Sequence, residues 1–159
     1  MTPFLKIVAQ DLYDRFGGEL HDIMSHLITG EELEQELIKK QMQGLIASDK
    51  AREKISRLIR KALDNPLAKD WFGGQYKIYN ECNILYRDGK QRVCRPDRVM
   101  IDGNTAIVVD FKFGNAKEKH KEQVQNYMDN LQQMGYTDVK GYLWYIYKNH
   151  IEPVNQAKR

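Results

Sequence analysis

The stretch Thr105-Ala-Ile-Val-Val-Asp-Phe-Lys-Phe113 combines a continuous apolar run with two charged residues near its end. Apolar residues without interruption at 106–109 are typical of a central strand that is covered on both faces. Residues two positions apart in a strand point to the same face, roughly 6–7 Å from each other, so Asp110 and Lys112 are predicted to project together. A carboxylate can hold a hard divalent cation while a neighbouring ammonium neutralises developing negative charge. The spacing therefore indicates a candidate catalytic site.

A second β-type run, Gln91-Arg-Val-Cys-Arg-Pro-Asp-Arg-Val-Met-Ile101, precedes the first and is joined to it by Asp102-Gly103-Asn104. Asp-Gly favours a hairpin, because glycine accepts the positive φ that the turn needs. The two runs are therefore predicted to be antiparallel neighbours, which brings Asp97 beside Asp110. A structural ion-pair network at a strand end would contain the same residues, and that alternative stays open.

Four motifs together resemble the PD-(D/E)XK nuclease family, in the form found in RecB-type and AddAB-type exonuclease domains. Arg95-Pro-Asp-Arg-Val99 followed by Val109-Asp-Phe-Lys-Phe-Gly114 resembles the family signature. Gly18-Glu-Leu-His-Asp-Ile23 resembles its glycine-to-histidine helix motif, and Gln123-Val-Gln-Asn-Tyr127 resembles its downstream Gln-xxx-Tyr motif. The motifs occur in family order and cover most of the chain.

The resemblance implies metal-dependent hydrolysis of DNA phosphodiester bonds with Mg²⁺ or Mn²⁺ as cofactor. The catalytic residues that it implies are Asp97, Asp110, Lys112 and Glu81. The metal ligands that it implies are His21, Asp97, Asp110 and the carbonyl of Phe111. Gln123 and Tyr127 would bind the substrate, although helical periodicity alone makes Tyr127 ordinary core and Gln123 ordinary surface.

DNA is accordingly the expected partner. Little sequence specificity is expected, since these motifs do not read bases. Domains of this family often form the end of a larger helicase–nuclease, so a helicase domain or subunit is a further candidate partner. A non-catalytic DNA-binding or partner-docking module that retains the nuclease fold is the main alternative. The intact set of Asp97, Asp110 and Lys112 favours the enzyme.

The apolar spacing changes near residue 75 from helical to β-like. Residues 1–74 are predicted to be mainly helical, with one helix ending at Gly17-Gly18, a new one carrying His21, another opening at Thr29, and a last one stopping near Asn65-Pro66. Residues 75–159 are predicted to form a catalytic sheet and helix. A three-stranded meander, whose first strand is the run 75–86 and whose first turn is at Asp88-Gly89, is followed by a helix and an aromatic strand. This order predicts a single α/β domain with a restriction-endonuclease-like mixed β-sheet flanked by helices.

Composition is that of an ordinary globular protein, with 42% hydrophobic and 30% charged residues. No apolar run is long enough to span a membrane and no signal peptide is visible, so a cytoplasmic protein without a membrane partner is expected. The net charge is uneven, −1 over residues 1–74 and +4 over residues 75–159. Two cysteines, Cys82 and Cys94, are too few for an iron–sulfur cluster; reduced thiols are favoured over a disulfide, which stays open.

Overall fold

The computed structural model describes the backbone of residues 3–80, 84–86 and 92–156, and the side chains of residues 15–80 and 95–156. The described residues form a mixed α/β fold with five α-helices and a five-stranded mixed sheet. None of the helices in these ranges has the length and apolar character that crossing a membrane requires.

The chain divides into two compact units, which we call the helical unit and the sheet unit. The helical unit comprises Met1–Gly74 and Ile146–Asn149, and the sheet unit comprises Gln75–Tyr145 and His150–Arg159. The division falls where the apolar spacing of the sequence changes from helical to β-like.

The helical unit contains four α-helices: α1 (Pro3–His26), α2 (Leu33–Met42), α3 (Asp49–Leu63) and α4 (Pro66–Trp71). A 3₁₀ turn, Gly30–Glu32, precedes α2, and the Glu32 carboxylate accepts the backbone N–H of Thr29 at 3.1 Å. Apolar residues at helical spacing meet inside the unit, and the fully buried ones include Leu20, Ile23, Leu27, Leu33, Leu37, Ile55 and Ile59. The prediction of a helical N-terminal half is confirmed.

Two helix boundaries differ from the prediction. The expected break at Gly17-Gly18 is a kink within α1, where Phe16 departs from helical geometry with φ −131° and ψ 19°. Asn65-Pro66 was predicted to end a helix, but it also begins α4. The Asn65 side chain accepts the N–H of Leu67 at 3.1 Å, and proline suits a first helical position because its missing N–H would be unpaired there.

Within its described residues, the sheet unit contains seven strands and one helix: β1 (Lys77–Asn80), β2 (Ile84–Tyr86), β3 (Arg92–Cys94), β4 (Arg98–Asp102), β5 (Thr105–Lys112), α5 (Glu118–Gln133), β6 (Asp138–Tyr145) and β7 (His150–Val154). The main sheet has the order β1-β4-β5-β6-β7, and β2 pairs with β3 in a separate two-stranded ribbon. The β5–β6 pair is parallel and the other pairs of the main sheet are antiparallel. The sheet is therefore mixed, as predicted.

Both long β-type runs before β5 are divided, contrary to the prediction. The run 75–86 supplies β1 and β2, and the run 91–101 supplies β3 and β4, so the meander of the main sheet consists of β1, β4 and β5. Pro96 lies between β3 and β4, where a residue without an N–H interrupts a ladder. The predicted turn at Asp88-Gly89 lies outside the described residues.

The predicted hairpin between β4 and β5 is present, with Gly103 at φ +58° in its turn. β5 lies between β4 and β6, and residues 106–111 are buried. Helix α5 packs on one face of the sheet and approaches it closely at Gly141, where an added Cβ would lie 2.8 Å from Val124 Cγ1. The first half of α5 is thus held near the carboxyl end of β5.

Candidate functional site

Among the described strands, only β6 runs beside the carboxyl end of β5. The pairing with β4 reaches Arg98 opposite Val109, whereas β6 continues beside β5 to Lys112. Asp97, which immediately precedes β4, occupies the other side, and its Oδ2 accepts the backbone N–H of Phe111 at 2.8 Å. The carboxylate thus replaces the backbone acceptor that a longer β4 would supply, and this bond fixes Asp97 beside the strand end.

Asp110 lies next to this carboxylate and is almost fully buried, with 3% of its surface exposed. Burial raises the pKa of Asp110 to about 7, and the negative charge of Asp97 and a hydrogen bond with it act in the same direction. The ammonium of Lys112, whose Nζ lies 2.7 Å from Asp110 Oδ2, opposes the rise. Two buried carboxyl groups in contact cannot both ionise readily, so the contact with Asp97 adds to the effect of burial on the pKa of Asp110.

Helix α5 contributes the next members of the cluster. Lys112 Nζ donates to Gln123 Oε1 at 3.0 Å, and Gln123 Nε2 donates to Tyr127 Oη at 2.9 Å. The Tyr127 side chain is buried in the core between α5 and the sheet. Asp97, Asp110, Lys112, Gln123 and Tyr127 therefore form one connected network, which we call the β5-end network.

Two side chains that the sequence did not single out also border this network. Tyr145 lies opposite Lys112 in the β5–β6 register, and its hydroxyl is 3.3 Å from Nδ1 of His120. Burial lowers the pKa of His120, and the charges of Lys112 and two neighbouring lysines lower it further. His120 precedes Gln123 by three positions and Tyr127 by seven, which puts all three on one helix face. That spacing was a usable signal in the sequence.

The oxygen atoms at this strand end suit a hard cation. In a strand the N–H and C=O of one residue point to the same edge, so the Phe111 carbonyl points to the edge where its N–H meets Asp97. Two carboxylates and a carbonyl are thus directed to one place. Among the described residues, no group of three or more histidine, cysteine, aspartate or glutamate side chains is arranged to hold a metal ion.

Two further residues, Glu81 and His21, were predicted to belong to the site. Glu81 lies outside the described residues, as does Cys82. His21 lies on α1 in the helical unit, five positions after the kink at Phe16. Its imidazole helps to lower the pKa of Asp22: burial acts to raise that pKa, but Lys40, His26 and His21 outweigh it. The metal-binding roles of His21 and Glu81 stay predictions.

Comparison with known proteins yields no assignment, because neither a family model nor a curated protein sequence matches this chain. The functional interpretation therefore depends on the motifs and on the geometry of the β5-end network.

Proposed function

We propose that this chain is a divalent-metal-dependent DNA nuclease, with its catalytic centre in the β5-end network. The proposed fold type is the restriction-endonuclease-like sheet of RecB-type and AddAB-type exonuclease domains. An antiparallel β4–β5 hairpin, a helix, and a strand parallel to β5 support this type. DNA is the proposed substrate, and a helicase domain or subunit is a proposed partner.

The observation that carries the proposal is the continuity of the network. The network joins Asp97, which precedes β4, to residues of β5 and of α5. Asp97 bonds to the Phe111 N–H at 2.8 Å, Lys112 lies 2.7 Å from Asp110 and 3.0 Å from Gln123, and Gln123 lies 2.9 Å from the Tyr127 hydroxyl. A buried pair of acids is costly for a protein that has no use for it, because each charge must be removed from water. Asp97, Asp110, Lys112, Gln123 and Tyr127, five of the residues that the resemblance assigns to one active site, form this pair and its partners.

The donor set fits Mg²⁺ or Mn²⁺. Both ions accept carboxylate and carbonyl oxygens, and Mg²⁺ commonly uses one or two carboxylates while keeping several waters. Asp97 and Asp110, with the Phe111 carbonyl, would hold the ion, and the raised pKa of Asp110 indicates negative charge that a cation would relieve. A bound divalent ion would activate a water and polarise the phosphate.

The remaining residues of the network have separate tasks in this proposal. The Lys112 ammonium stabilises the negative charge that develops on the phosphate in the transition state. Gln123 accepts a hydrogen bond from Lys112 and so fixes the direction of the ammonium, while Tyr127 accepts one from Gln123. Gln123 and Tyr127 would also position the substrate strand from the α5 side. Such positioning lowers the barrier because the reacting groups are already oriented.

A structural role is the alternative, and one contact favours it. The Asp97 carboxylate already satisfies the Phe111 N–H, a task that needs no metal. A non-catalytic docking module would use the network only in this way. Titration with Mn²⁺ separates the two, since a structural network gains no thermal stability from the ion whereas a metal site does.

The deciding experiment is incubation of the protein with linear and circular DNA, single- and double-stranded, in Mg²⁺, Mn²⁺ or EDTA. We expect cleavage with either ion and none in EDTA. Action on linear DNA alone would indicate an exonuclease, and cleavage of circles an endonuclease. The proposal is wrong if a folded protein, saturated with Mn²⁺, cleaves none of the four substrates.

A further inference from the structure

A row of basic residues runs along one face of α3. Its members follow one another at intervals of four, three and four positions: Lys50, Lys54, Arg57 and Lys61. At 3.6 residues per turn and 1.5 Å rise per residue, these positions fall within an arc of about 60° and extend over about 16 Å. We call this row the cationic stripe.

All four side chains of the cationic stripe are exposed, and within the described side chains none of them forms an ion pair. The basic residues on the adjoining faces of α3 behave differently. Arg60 contacts Glu34 at 2.6 Å, and Arg52 lies 3.8 Å from Asp49. Glu53 stands one turn before Arg57 without pairing with it. The positive charge of the stripe is therefore left for an external partner.

The opposite face of α3 anchors the stripe. Ile55, Ile59 and Ala62 are buried in the helical unit, so the helix is held by its packing. A helix that lies on a membrane must instead turn its apolar face to the lipid. Because that face is already covered, the exposed surface of α3 offers charge without apolar area, which suits a polyanion in water.

We propose that the cationic stripe binds the phosphate backbone of DNA. Each strand of a duplex carries one phosphate per roughly 3.4 Å of axis, so about 16 Å of helix faces several phosphates at once. Contacts to phosphates position a protein on DNA and carry no sequence information. The stripe lies in the helical unit and is a binding surface in addition to the β5-end network.

The test measures binding without cleavage, so its outcome is independent of the proposed nuclease activity. The wild-type protein and the variant K50Q/K54Q/R57Q/K61Q are titrated against fluorescently labelled duplex DNA in EDTA, with anisotropy as the readout, at several salt concentrations. We expect the variant to bind at least about tenfold more weakly. Since each phosphate contact contributes about 0.9 to the slope of log K against log salt, the slope should fall by roughly 3.

A matched control removes the same charge elsewhere. K39Q/K69Q/K140Q/K148Q also replaces four exposed basic residues, here all lysines, and it should keep most of the affinity and the wild-type slope. Circular dichroism verifies that both variants are folded. Equal losses in the two variants, or an unchanged affinity and slope in the stripe variant, would overturn the proposal. So would stripe-dependent binding to phosphatidylserine vesicles without binding to DNA.

Discussion

The end of β5 and the exposed face of α3 both gather positive charge, but in opposite environments. Lys112 is held between Asp110 and Gln123, and the acid beside it has a strongly raised pKa. Lys54 and its neighbours on the cationic stripe are exposed to water, and they form no ion pair with the side chains that the structure describes. Buried charges act as one unit because each depends on the others for compensation, whereas exposed charges act almost independently. In our proposals, the same residue type would serve catalysis at the end of β5 and DNA binding on α3.

The largest expected effect separates the two regions completely. Asp110→Asn keeps the shape of the side chain but removes the charge that would hold the metal, so cleavage should fall by about 1,000-fold or more. DNA binding in EDTA should remain, because the cationic stripe is untouched. Cleavage is followed by gel assay with Mn²⁺ at saturating DNA.

Asp102→Asn is the matched control, since Asp102 is an exposed acid at the other end of β4. It should cleave at the wild-type rate. Full activity in a folded Asp110→Asn protein would contradict the proposed catalytic role of the β5-end network.

The second expected effect concerns additivity within the buried network. Lys112→Met should slow cleavage by about 100-fold, and Gln123→Ala should slow it less. At saturating DNA, where the proposed substrate-binding role of Gln123 no longer limits the rate, the double variant should be little slower than Lys112→Met, because the remaining effect of Gln123 acts through the ammonium that is already absent. Single-turnover rates of the wild type, the two single variants and the double variant form a double-mutant cycle.

Metal binding provides the control for this cycle. An ammonium has no lone pair and cannot be a ligand, so Lys112→Met should still gain thermal stability from Mn²⁺. Multiplicative rate losses in the double variant would show that the two residues act separately.

A third effect is the pH dependence of stability without metal. An unfolded aspartate titrates near pH 4, whereas the pKa of Asp110 in the folded protein is about 7. Between these values the unfolded state has released the proton that the folded state retains, so the free energy of unfolding falls as pH rises. The decrease in the free energy of unfolding that is due to Asp110 reaches its full value above pH 7 and amounts to about 2–4 kcal/mol.

Urea unfolding in EDTA at pH 5 and pH 7.5 measures this loss. Asp110→Asn should show a smaller decrease between the two pH values than the wild type. The stripe variant should show the wild-type decrease. An identical pH dependence in wild type and Asp110→Asn would mean that burial of Asp110 has little energetic effect.

The smallest expected effects belong to single residues of the cationic stripe. Lys50→Gln, Lys54→Gln and Lys61→Gln should each weaken DNA binding by about two- to fourfold at 0.1 M salt, with the losses adding in free energy. Anisotropy titrations of single and double variants test this. A single substitution that abolishes binding would identify a specific contact and contradict the contrast with the buried network.

Local sequence predicted the part of the fold that local chemistry controls. The apolar run of β5 and the Asp102-Gly103 turn fix a buried strand and its hairpin, and both are present. The division of the run 91–101 has a local sign in Pro96, but which strand each half pairs with depends on residues that are distant in the sequence. Helix α4 was missed because Asn65-Pro66 can either end one helix or cap the next.

Local sequence also predicted only part of the candidate site. The i, i+2 spacing of Asp110 and Lys112 predicted their common face, but helical periodicity could not decide between core and site for Tyr127. The structure gives it both surroundings, with the side chain in the core and the hydroxyl bonded to Gln123. The regular spacing of the cationic stripe on α3 is visible in the sequence. Spacing alone does not show whether acidic side chains form ion pairs with those basic residues; only the positions of the side chains show that.

The hydrogen bond from the Phe111 amide to Asp97 gives the protein a spectroscopic reporter. An amide proton that is bonded to a carboxylate experiences the charge of that group, so its NMR resonance moves when the carboxyl is protonated or binds a cation. Phe111 is buried in β5, so the chemical shift of its amide proton should respond little to changes in bulk solvent. One backbone resonance would follow proton and metal occupancy at the strand end in solution, without any label on the side chains.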